Sequence, residues 1–402
     1  MMNGRHSEPQ RLIVVIVFVC VCLSACGGGD DVIPPFTLND AVAVADLNGD
    51  GYLDVTLVTT HISGSPPHPG RVLVYMQDTA HPSAFLAPSR HAVGSDPWHV
   101  AIADLNADGR RDIVVANTRS NDVSVLLQDA ANPGSFLAAA HYACGTYTNA
   151  VAIGDLNGDG RPDIAAAITG GAVLLFQDPA NAGGFLPGIK LSTPSGASSA
   201  AIGDLNGDGR ADIALTGPDT VFIFMQDPII SGSFPRAVTY PAGPRASAAA
   251  LSDVDGDGRT DLVVVNAGTS DSGANSSITV RLQDPGNPGT FPVPVNYPSA
   301  NGARSVAAGD LNNDGRPDIA VAAVVYASQA PGVVQVFLQD PGSPGIFLPP
   351  RSYSAGNTPQ SIAIGDLNGD GYADMVSNDG PIVLFQDPTR PGNFSGGVIT
   401  VR

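Results

Sequence analysis

One nine-residue pattern, D-x-[ND]-x-D-G-x-x-D, occurs seven times in this 402-residue chain. Each copy is followed by an apolar run, a Gln-Asp pair, a Gly/Pro turn and a Phe. Self-similarity at a period of about 50 residues is typical of propellers and solenoids, which are built from equivalent units. The fold must therefore be assembled from seven similar pieces. The nine-residue loops occupy residues 46–54, 104–112, 155–163, 204–212, 253–261, 310–318 and 366–374.

Each repeat predicts four short strands. In the third repeat they are AVAIG (150–154), IAAAI (164–168), AVLLFQ (172–177) and FLPGIKL (185–191), each bounded by turn residues. The first strand alternates large and small apolar residues, so both of its faces are expected to be buried between stacked units. Four antiparallel strands in about 50 residues form one propeller blade. The sequence predicts an all-β, seven-bladed β-propeller over residues 40–402, and a linear array of repeats is the alternative.

The charge is strongly negative and is concentrated in the loops. The chain carries 38 acidic and 19 basic residues, for a net charge of −19. This balance argues against nucleic-acid binding, which needs a basic face. The acids are almost all Asp, and 22 of the 37 Asp residues lie in the seven loops. We therefore interpret the acidity as belonging to ligands of bound cations.

The second loop illustrates the chemistry. Asp104, Asn106 and Asp108 at positions 1, 3 and 5 would offer side-chain oxygens, and the glycine that follows permits a sharp turn. Arg110 at position 7 would offer its carbonyl oxygen, and Asp112 at position 9 would close the cage. A turn rich in Asp and Asn without a metal is the alternative. Seven copies favour about one structural Ca²⁺ per blade, because packed carboxylates repel one another without a cation.

The same positions give the full set of predicted calcium ligands. They are Asp46, Asn48, Asp50, Tyr52, Asp54, Asp104, Asn106, Asp108, Arg110, Asp112, Asp155, Asn157, Asp159, Arg161, Asp163, Asp204, Asn206, Asp208, Arg210, Asp212, Asp253, Asp255, Asp257, Arg259, Asp261, Asp310, Asn312, Asp314, Arg316, Asp318, Asp366, Asn368, Asp370, Tyr372 and Asp374.

The loops and the phrases that follow them resemble a known family. The DLNGDGRPD loops between short strands and the QDPxxPGxF phrases resemble FG-GAP/VCBS repeats of bacterial surface proteins and the blades of integrin α-chain propellers. The resemblance covers residues 40–402. It implies a calcium-binding β-propeller, and it implies no single activity, because one scaffold hosts many functions.

The N-terminus predicts export. Two arginines precede an apolar run over residues 12–23, which is too short to span a bilayer as a helix. The tetrapeptide Leu-Ser-Ala-Cys that ends at Cys26 resembles a bacterial lipoprotein signal, and an ordinary signal peptide is the alternative. We expect residues 1–25 to be a signal peptide and residues 26–39 to be a lipidated Cys26 and its tether. The predicted location is extracytoplasmic, with the lipid in the bacterial membrane, the outer one where the cell has two.

A variable ring is predicted at the mouth of the central channel. Strand parity places the A–B loops and C–D turns on one face, and the B–C and D–A turns on the other. The residue six positions before each loop lies at this second face and differs in nearly every blade. Trp98, the only Trp, and Asn149, Arg304 and Gln360 are candidate ligand-binding residues, with a channel plug as the alternative for Trp98. The ring consists of Asp40, Trp98, Asn149, Ser198, Ser247, Arg304 and Gln360.

Catalytic patterns are weak, and no catalytic residue is predicted. The sequence has neither H-E-x-x-H nor G-x-S-x-G. The predicted function is a non-enzymatic binding or adhesion module for a glycan or protein ligand, with membrane contact only through the anchor. A polysaccharide lyase or hydrolase is the alternative, which Arg304 and Tyr147 keep open. The Gln-Asp pairs are expected to be turns and the Phe residues to be core. The acids available for catalysis outside the repeated motifs are Asp40, Asp96, Asp122, Asp219, Asp271 and Asp379.

Overall fold

The protein is a ring of seven four-stranded antiparallel sheets. The structure, a computed structural model, describes residues 18–19 and 37–401 apart from 62–68, 270–273 and 326–330. All regular secondary structure in these residues is β-strand, and no helix among them could cross a membrane. The predicted all-β, seven-bladed propeller is confirmed. Apart from residues 18–19, the predicted signal peptide lies outside the described residues, as do Cys26 and most of the tether.

The four strands of each blade, A to D, pair in chain order. Blade 1 contains β2 (Thr37–Ala45), β3 (Asp54–His61), β4 (Pro69–Tyr75) and β6 (Ser89–Ser95); blade 2 contains β7 (Pro97–Ala103), β8 (Asp112–Asn117), β9 (Asp122–Leu126) and β10 (Ala140–Ala143). Blade 3 contains β11 (Thr148–Gly154), β12 (Asp163–Ile168), β13 (Gly171–Leu175) and β14 (Ile189–Ser192); blade 4 contains β15 (Ser199–Gly203), β16 (Asp212–Thr216), β17 (Thr220–Phe224) and β18 (Ala237–Pro241).

The remaining blades follow the same plan. Blade 5 contains β19 (Ala246–Ser252), β20 (Asp261–Asn266), β21 (Ser277–Arg281) and β22 (Pro294–Pro298); blade 6 contains β23 (Ala303–Gly309), β24 (Asp318–Ala323), β25 (Val333–Phe337) and β26 (Arg351–Ser354). Blade 7 contains β27 (Ile362–Gly365), β28 (Asp374–Ser377), β29 (Ile382–Gln386) and β30 (Phe394–Val398). Three short strands complete the set: β1 (Phe18–Val19), which pairs with β23, β5 (Ala84–Phe85) and β31 (Thr400–Val401).

The ring is closed. Each A strand contacts the A strands of both neighbouring blades, and β27 of blade 7 contacts β2 of blade 1. At this closing joint the Val42 amide donates to Ser361 Oγ at 3.2 Å. At the outer edge β31 pairs in parallel with β5. A linear array is therefore excluded, and the seven A strands surround the central channel.

The apolar core lies between blades. Val72 and Val74 of blade 1 belong to one buried cluster with Val115 and Ile113 of blade 2. The alternating large and small residues of the A strands fit this arrangement, because each blade covers an apolar face of the next. Burial of both faces explains why the strands read as nearly continuous apolar runs.

The D strands are shorter than predicted. The expected strand over residues 185–191 begins only at Ile189, and Phe185 makes an isolated bridge to Gln177. Pro187 stands between them, and a proline has no amide hydrogen for a ladder bond. In blade 7, strand D ends at Val398 as β30, and β31 follows as a separate short strand.

The Gln-Asp pairs join neighbouring blades. The Asp starts a turn as predicted, for example where Asp178 Oδ1 accepts from the Ala180 amide at 2.9 Å. The preceding Gln177 is buried, and its Nε2 donates to the Leu105 carbonyl of blade 2 at 2.6 Å. The turn interpretation was therefore incomplete, because the Gln is an inter-blade link. Equivalent bonds run from Gln77 to Leu367, Gln128 to Leu47, Gln226 to Leu156 and Gln339 to Val254.

An aromatic contact joins the same blades farther out. Tyr142 on strand D of blade 2 packs edge-on against Phe185 of blade 3, with ring centroids 5.4 Å apart. The predicted core role of the Phe residues agrees with this burial. The same contact recurs in His91–Phe136, Tyr240–Phe291, Tyr297–Phe347 and Tyr353–Phe394.

Replacing an inter-blade Gln should weaken the ring. Gln177 donates both to Leu105 and, at 3.1 Å, to the Pro162 carbonyl of its own blade. We expect Gln177→Met to lower the free energy of unfolding by about 1–3 kcal/mol, because a buried carbonyl loses its donor. Gln386→Met is the matched control, since Gln386 donates to Ala373 within its own blade. Thermal melts should show the larger loss for Gln177→Met, and equal losses would contradict the inter-blade role.

Candidate metal loops and channel-mouth ring

Each nine-residue loop wraps around its first carboxylate. In blade 3, Asp155 Oδ1 accepts from the Gly158 amide at 2.7 Å and Oδ2 accepts from the Gly160 amide at 2.8 Å. Asn157 Oδ1 accepts from the Asp159 amide at 2.9 Å. The same local bonds recur around Asp46, Asp204, Asp253 and Asp366. The loop is thus held in shape by its own backbone.

The carboxylate at position 9 is a buried structural acceptor. Asp163 Oδ2 accepts from the Leu156 amide at 2.9 Å, and Oδ1 accepts from the Gln177 amide at 2.8 Å. Burial raises the pKa of Asp163 to about 6, although these hydrogen bonds act in the opposite direction. The sequence predicted Asp163 only as a calcium ligand, and its role as an acceptor for two backbone amides was not predicted. Burial likewise raises the pKa of Asp112 and Asp212 to about 6, and that of Asp54, Asp261, Asp318 and Asp374 to about 7.

The donor chemistry of the loops fits a hard divalent cation. In blade 5, carboxylate oxygens of Asp253, Asp255 and Asp261 all lie within 4.8 Å of one another. Burial, and then the like charges of its neighbours, raise the pKa of Asp255. The other six loops have Asn at position 3, which offers a neutral oxygen. Carboxylate, amide and carbonyl oxygens are the ligands that Ca²⁺ prefers.

Position 5 is arranged differently. In five loops its carboxylate pairs with the Arg at position 7, as where Arg110 Nη1 lies 3.0 Å from Asp108 Oδ2. In blades 1 and 7, Tyr52 and Tyr372 take the place of the Arg. In these five loops, one oxygen of the position-5 carboxylate accepts a backbone amide of the loop, and the other oxygen pairs with the Arg side chain. The other pairs are Arg161–Asp159, Arg210–Asp208, Arg259–Asp257 and Arg316–Asp314.

The loops and the C–D turns lie on one face, which we call the loop face. Gly183 in the C–D turn of blade 3 has φ +75°, and a Cβ placed on it would lie 3.3 Å from Cβ of Asn106 in the blade 2 loop. The turn of one blade therefore packs on the loop of the preceding blade, as strand parity predicts. The opposite face, formed by the B–C and D–A turns, is the mouth face.

The ring position is marked by a β-bulge. In five blades the pairing of strands A and B skips the residue that lies six positions before the loop. A bulge leaves one residue out of the ladder and changes the direction of its side chain. The structure therefore supplies a physical reason for the variable position that the sequence singled out. The bulged residues are Asp40, Trp98, Asn149, Ser247 and Arg304.

The four ligand-binding candidates differ in accessibility. Trp98, Asn149 and Gln360 are half-buried, whereas Arg304 is only 5% exposed. Asn149 Nδ2 donates to the Ala197 carbonyl of blade 4 at 3.0 Å. The ring thus contains both inter-blade bonds and reachable side chains. The Asp40 side chain and parts of the three longest B–C turns lie outside the described residues.

The Asp residues named as possible catalytic acids accept hydrogen bonds that stabilise turns. Asp96 Oδ2 lies 2.8 Å from Arg119 Nε, in a contact between two turns of the mouth face. No local pattern predicts this pairing, because 23 residues separate the two side chains. Asp122 accepts a hydrogen bond from the Asn117 side chain, and Asp219 accepts one from the Arg245 amide. Asp379 accepts from the amides of Asn357 and Thr358. Asp271 lies outside the described residues.

The chain belongs to the FG-GAP-like repeat family. The family's sequence profile matches residues 46–115, 104–166, 155–215, 204–264, 253–321 and 323–377, which together span most of the chain. The chain is thus an FG-GAP repeat β-propeller. No protein of curated function matches its sequence.

Two solved structures share the fold. A protein from Lactobacillus plantarum is 15% identical, with 86% of this chain and 96% of that chain covered and a TM-score of 0.54. The periplasmic gluconolactonase PpgL of Pseudomonas aeruginosa is 19% identical, with 79% and 86% covered and a TM-score of 0.51. At these identities the likeness concerns the fold alone.

The two roles of the loop acids can be separated by mutation. We expect Asp163→Asn to lower the free energy of unfolding by about 1–3 kcal/mol even in excess EDTA, because one buried amide loses its acceptor. Asp159→Asn, at the exposed position 5 of the same loop, should have little effect in EDTA, since a surface ion pair contributes little. Denaturant unfolding of both variants, with and without calcium, measures this. An Asp163→Asn variant as stable as the parent in EDTA would contradict the buried-acceptor role.

Proposed function

We propose that this protein is a calcium-stabilised, lipid-anchored propeller outside the cytoplasm that binds a glycan or protein ligand on its mouth face without chemically altering it. The observation that carries the proposal is the bulged ring. A scaffold of seven similar blades carries a different side chain at nearly every bulge, and two of these side chains, Trp98 and Asn149, are partly exposed. Variation on an otherwise repeated scaffold is where specificity is expected.

Ca²⁺ fits the need for a stabilising link in each blade. Cys144 is the only cysteine after residue 26, so the chain that follows the predicted anchor has no partner for an intrachain disulfide. The oxygens at positions 1, 3, 5 and 9, with the position-7 carbonyl, would hold the ion. The cation would supply the positive charge that these clustered acids need. It would thereby stabilise the A–B turn and the neighbouring C–D turn that packs on it.

Removal of calcium should destabilise the ring. We expect excess EDTA to lower the melting temperature by about 10 °C or more, because ion binding to the folded state alone contributes at every loop. Added CaCl₂ should restore the melt, whereas MgCl₂ should restore it less, since Mg²⁺ demands stricter geometry. Differential scanning calorimetry measures the shift. An unchanged melting temperature in EDTA would contradict the stabilising role of Ca²⁺.

Cys26 should carry the lipid. We expect the parent chain to incorporate a fatty-acid probe in a bacterial host, and Cys26→Ala to lose it, because the thiol is the site of attachment. Cys144→Ala is the control and should label like the parent. Continued labelling of Cys26→Ala would contradict the anchor.

The mouth face should contact the ligand. A photo-cross-linking amino acid placed at Gln360 on the ring should capture the ligand in intact cells, and the same group at Thr389, an exposed position on the loop face, should not. Mass spectrometry of the adducts measures this. Adducts at Thr389 and none at Gln360 would place binding on the other face. New chain ends released from a polysaccharide by the purified protein would instead assign an enzyme.

A further inference from the structure

At one corner of the mouth face, between blades 2 and 3, a single turn hydrogen-bonds to the turns that precede both blades. The B–C turn of blade 2 covers residues 118–121. Its Arg119 bonds to Asp96 in the turn that leads into blade 2. Its Asn121 Oδ1 accepts from the Tyr147 amide, at 2.7 Å, in the turn that leads into blade 3. The turns before the two ring residues of this corner are therefore fixed relative to each other.

Three non-glycine residues of this corner have left-handed backbone conformations. Asp96, Asn121 and Tyr147 have φ of 51°, 60° and 52°, and they are three of the eight non-glycine residues with positive φ in the described chain. Asp96 and Tyr147 occupy the same turn position, eight residues before the loop, and Arg245 (φ 55°) and Gly302 (φ 75°) occupy it before blades 5 and 6. A non-glycine residue in this region costs roughly 1 kcal/mol or more and persists only where the surrounding structure holds it. Tyr147 is thus held where a glycine would be the easier choice.

Two aromatic side chains of the corner fall outside the repeated pattern. Most of the tyrosines recur at fixed places: Tyr142 and its equivalents pack on a Phe of the next blade, and Tyr52 and Tyr372 stand at position 7 of their loops. Tyr147 has no such equivalent and is 59% exposed. Trp98, the only Trp, is the bulged residue of β7, and Tyr147 directly precedes β11, which contacts β7. Both aromatics therefore lie at the mouth end of adjoining inner strands.

We propose that this corner is a carbohydrate subsite, in which a pyranose ring of a polysaccharide packs on Tyr147 and Trp98. The inference rests on the proposed binding function and names its ligand class. A pyranose has an apolar face of C–H groups, which suits an aromatic surface, and an edge of hydroxyls that need donors and acceptors. Arg119 supplies donors at the same corner: its side chain is 56% exposed, and the bond to Asp96 uses one of its five N–H groups.

The single Trp gives this site its own signal. In the full-length chain, solubilised in mild detergent with calcium, all tryptophan fluorescence comes from Trp98. We would titrate cellohexaose, chitohexaose and a hexameric alginate oligosaccharide, and record the emission. At least one saccharide should shift or quench the emission in a saturable manner. Tyr147→Ala should raise its dissociation constant by about tenfold and Arg119→Ala by a similar factor, whereas Tyr147→Phe should bind like the parent.

Arg245→Ala is the matched control, because Arg245 holds the equivalent turn position before blade 5 with φ 55°. It should bind the saccharide like the parent, and melting curves should show that every variant is folded. A saccharide response that is unchanged in both Tyr147→Ala and Arg119→Ala would overturn the subsite. The absence of any saccharide response, with ligand still cross-linked at Gln360, would overturn the sugar and leave the binding function. The absence of both would overturn the two proposals together.

Discussion

The buried Asp at the start of each B strand is the interaction on which the ring depends. In blade 3, Asp163 accepts the amide of Leu156 in its own loop and the amide of Gln177 on strand C. The Gln177 side chain then donates to the Leu105 carbonyl of the preceding blade. One pair of side chains therefore joins the loop, the sheet and the neighbour. An unpaired buried amide or carbonyl costs its full desolvation penalty, so the loss of either bond would destabilise the contact between blades.

This arrangement separates the repeated supporting bonds from the variable side chains. The loop face holds the repeated hydrogen bonds, and its turns pack on the loops of neighbouring blades. The mouth face holds the bulged residues and turns of unequal length. A bulged residue lies outside the ladder, so a change of its side chain leaves the glutamine bonds of the loop face in place, although a change at Asn149 would remove its own bond to blade 4. The residues of the mouth face can thus vary while the repeated bonds of the loop face stay the same.

The repeat made the fold predictable, because a period of about 50 residues with four apolar runs admits few architectures. The role of Gln177 was not predictable, since its carbonyl partner lies 72 residues away and glutamine before Asp-Pro reads as a turn. Trp98 and Asn149 were identified by their variability, but the bulge that redirects them depends on strand register, which no local pattern encodes. Asp163 was assigned to a metal because spacing cannot separate a ligand from a backbone acceptor. No sequence pattern identified Arg119 or its pairing with Asp96.

The joint between blades 7 and 1 contains the same glutamine bond as four of the other joints. Gln77 donates to the Leu367 carbonyl, as Gln177 does to Leu105. The first and last blades therefore meet through the contacts that join other blades, and β31 adds a short parallel pair with β5 at the rim. Circular permutation should consequently be tolerated: a chain opened between two other blades, with its present ends linked, would contain the same seven joints. The identity of the first blade is then a matter of gene order, and the geometry of the ring does not depend on it.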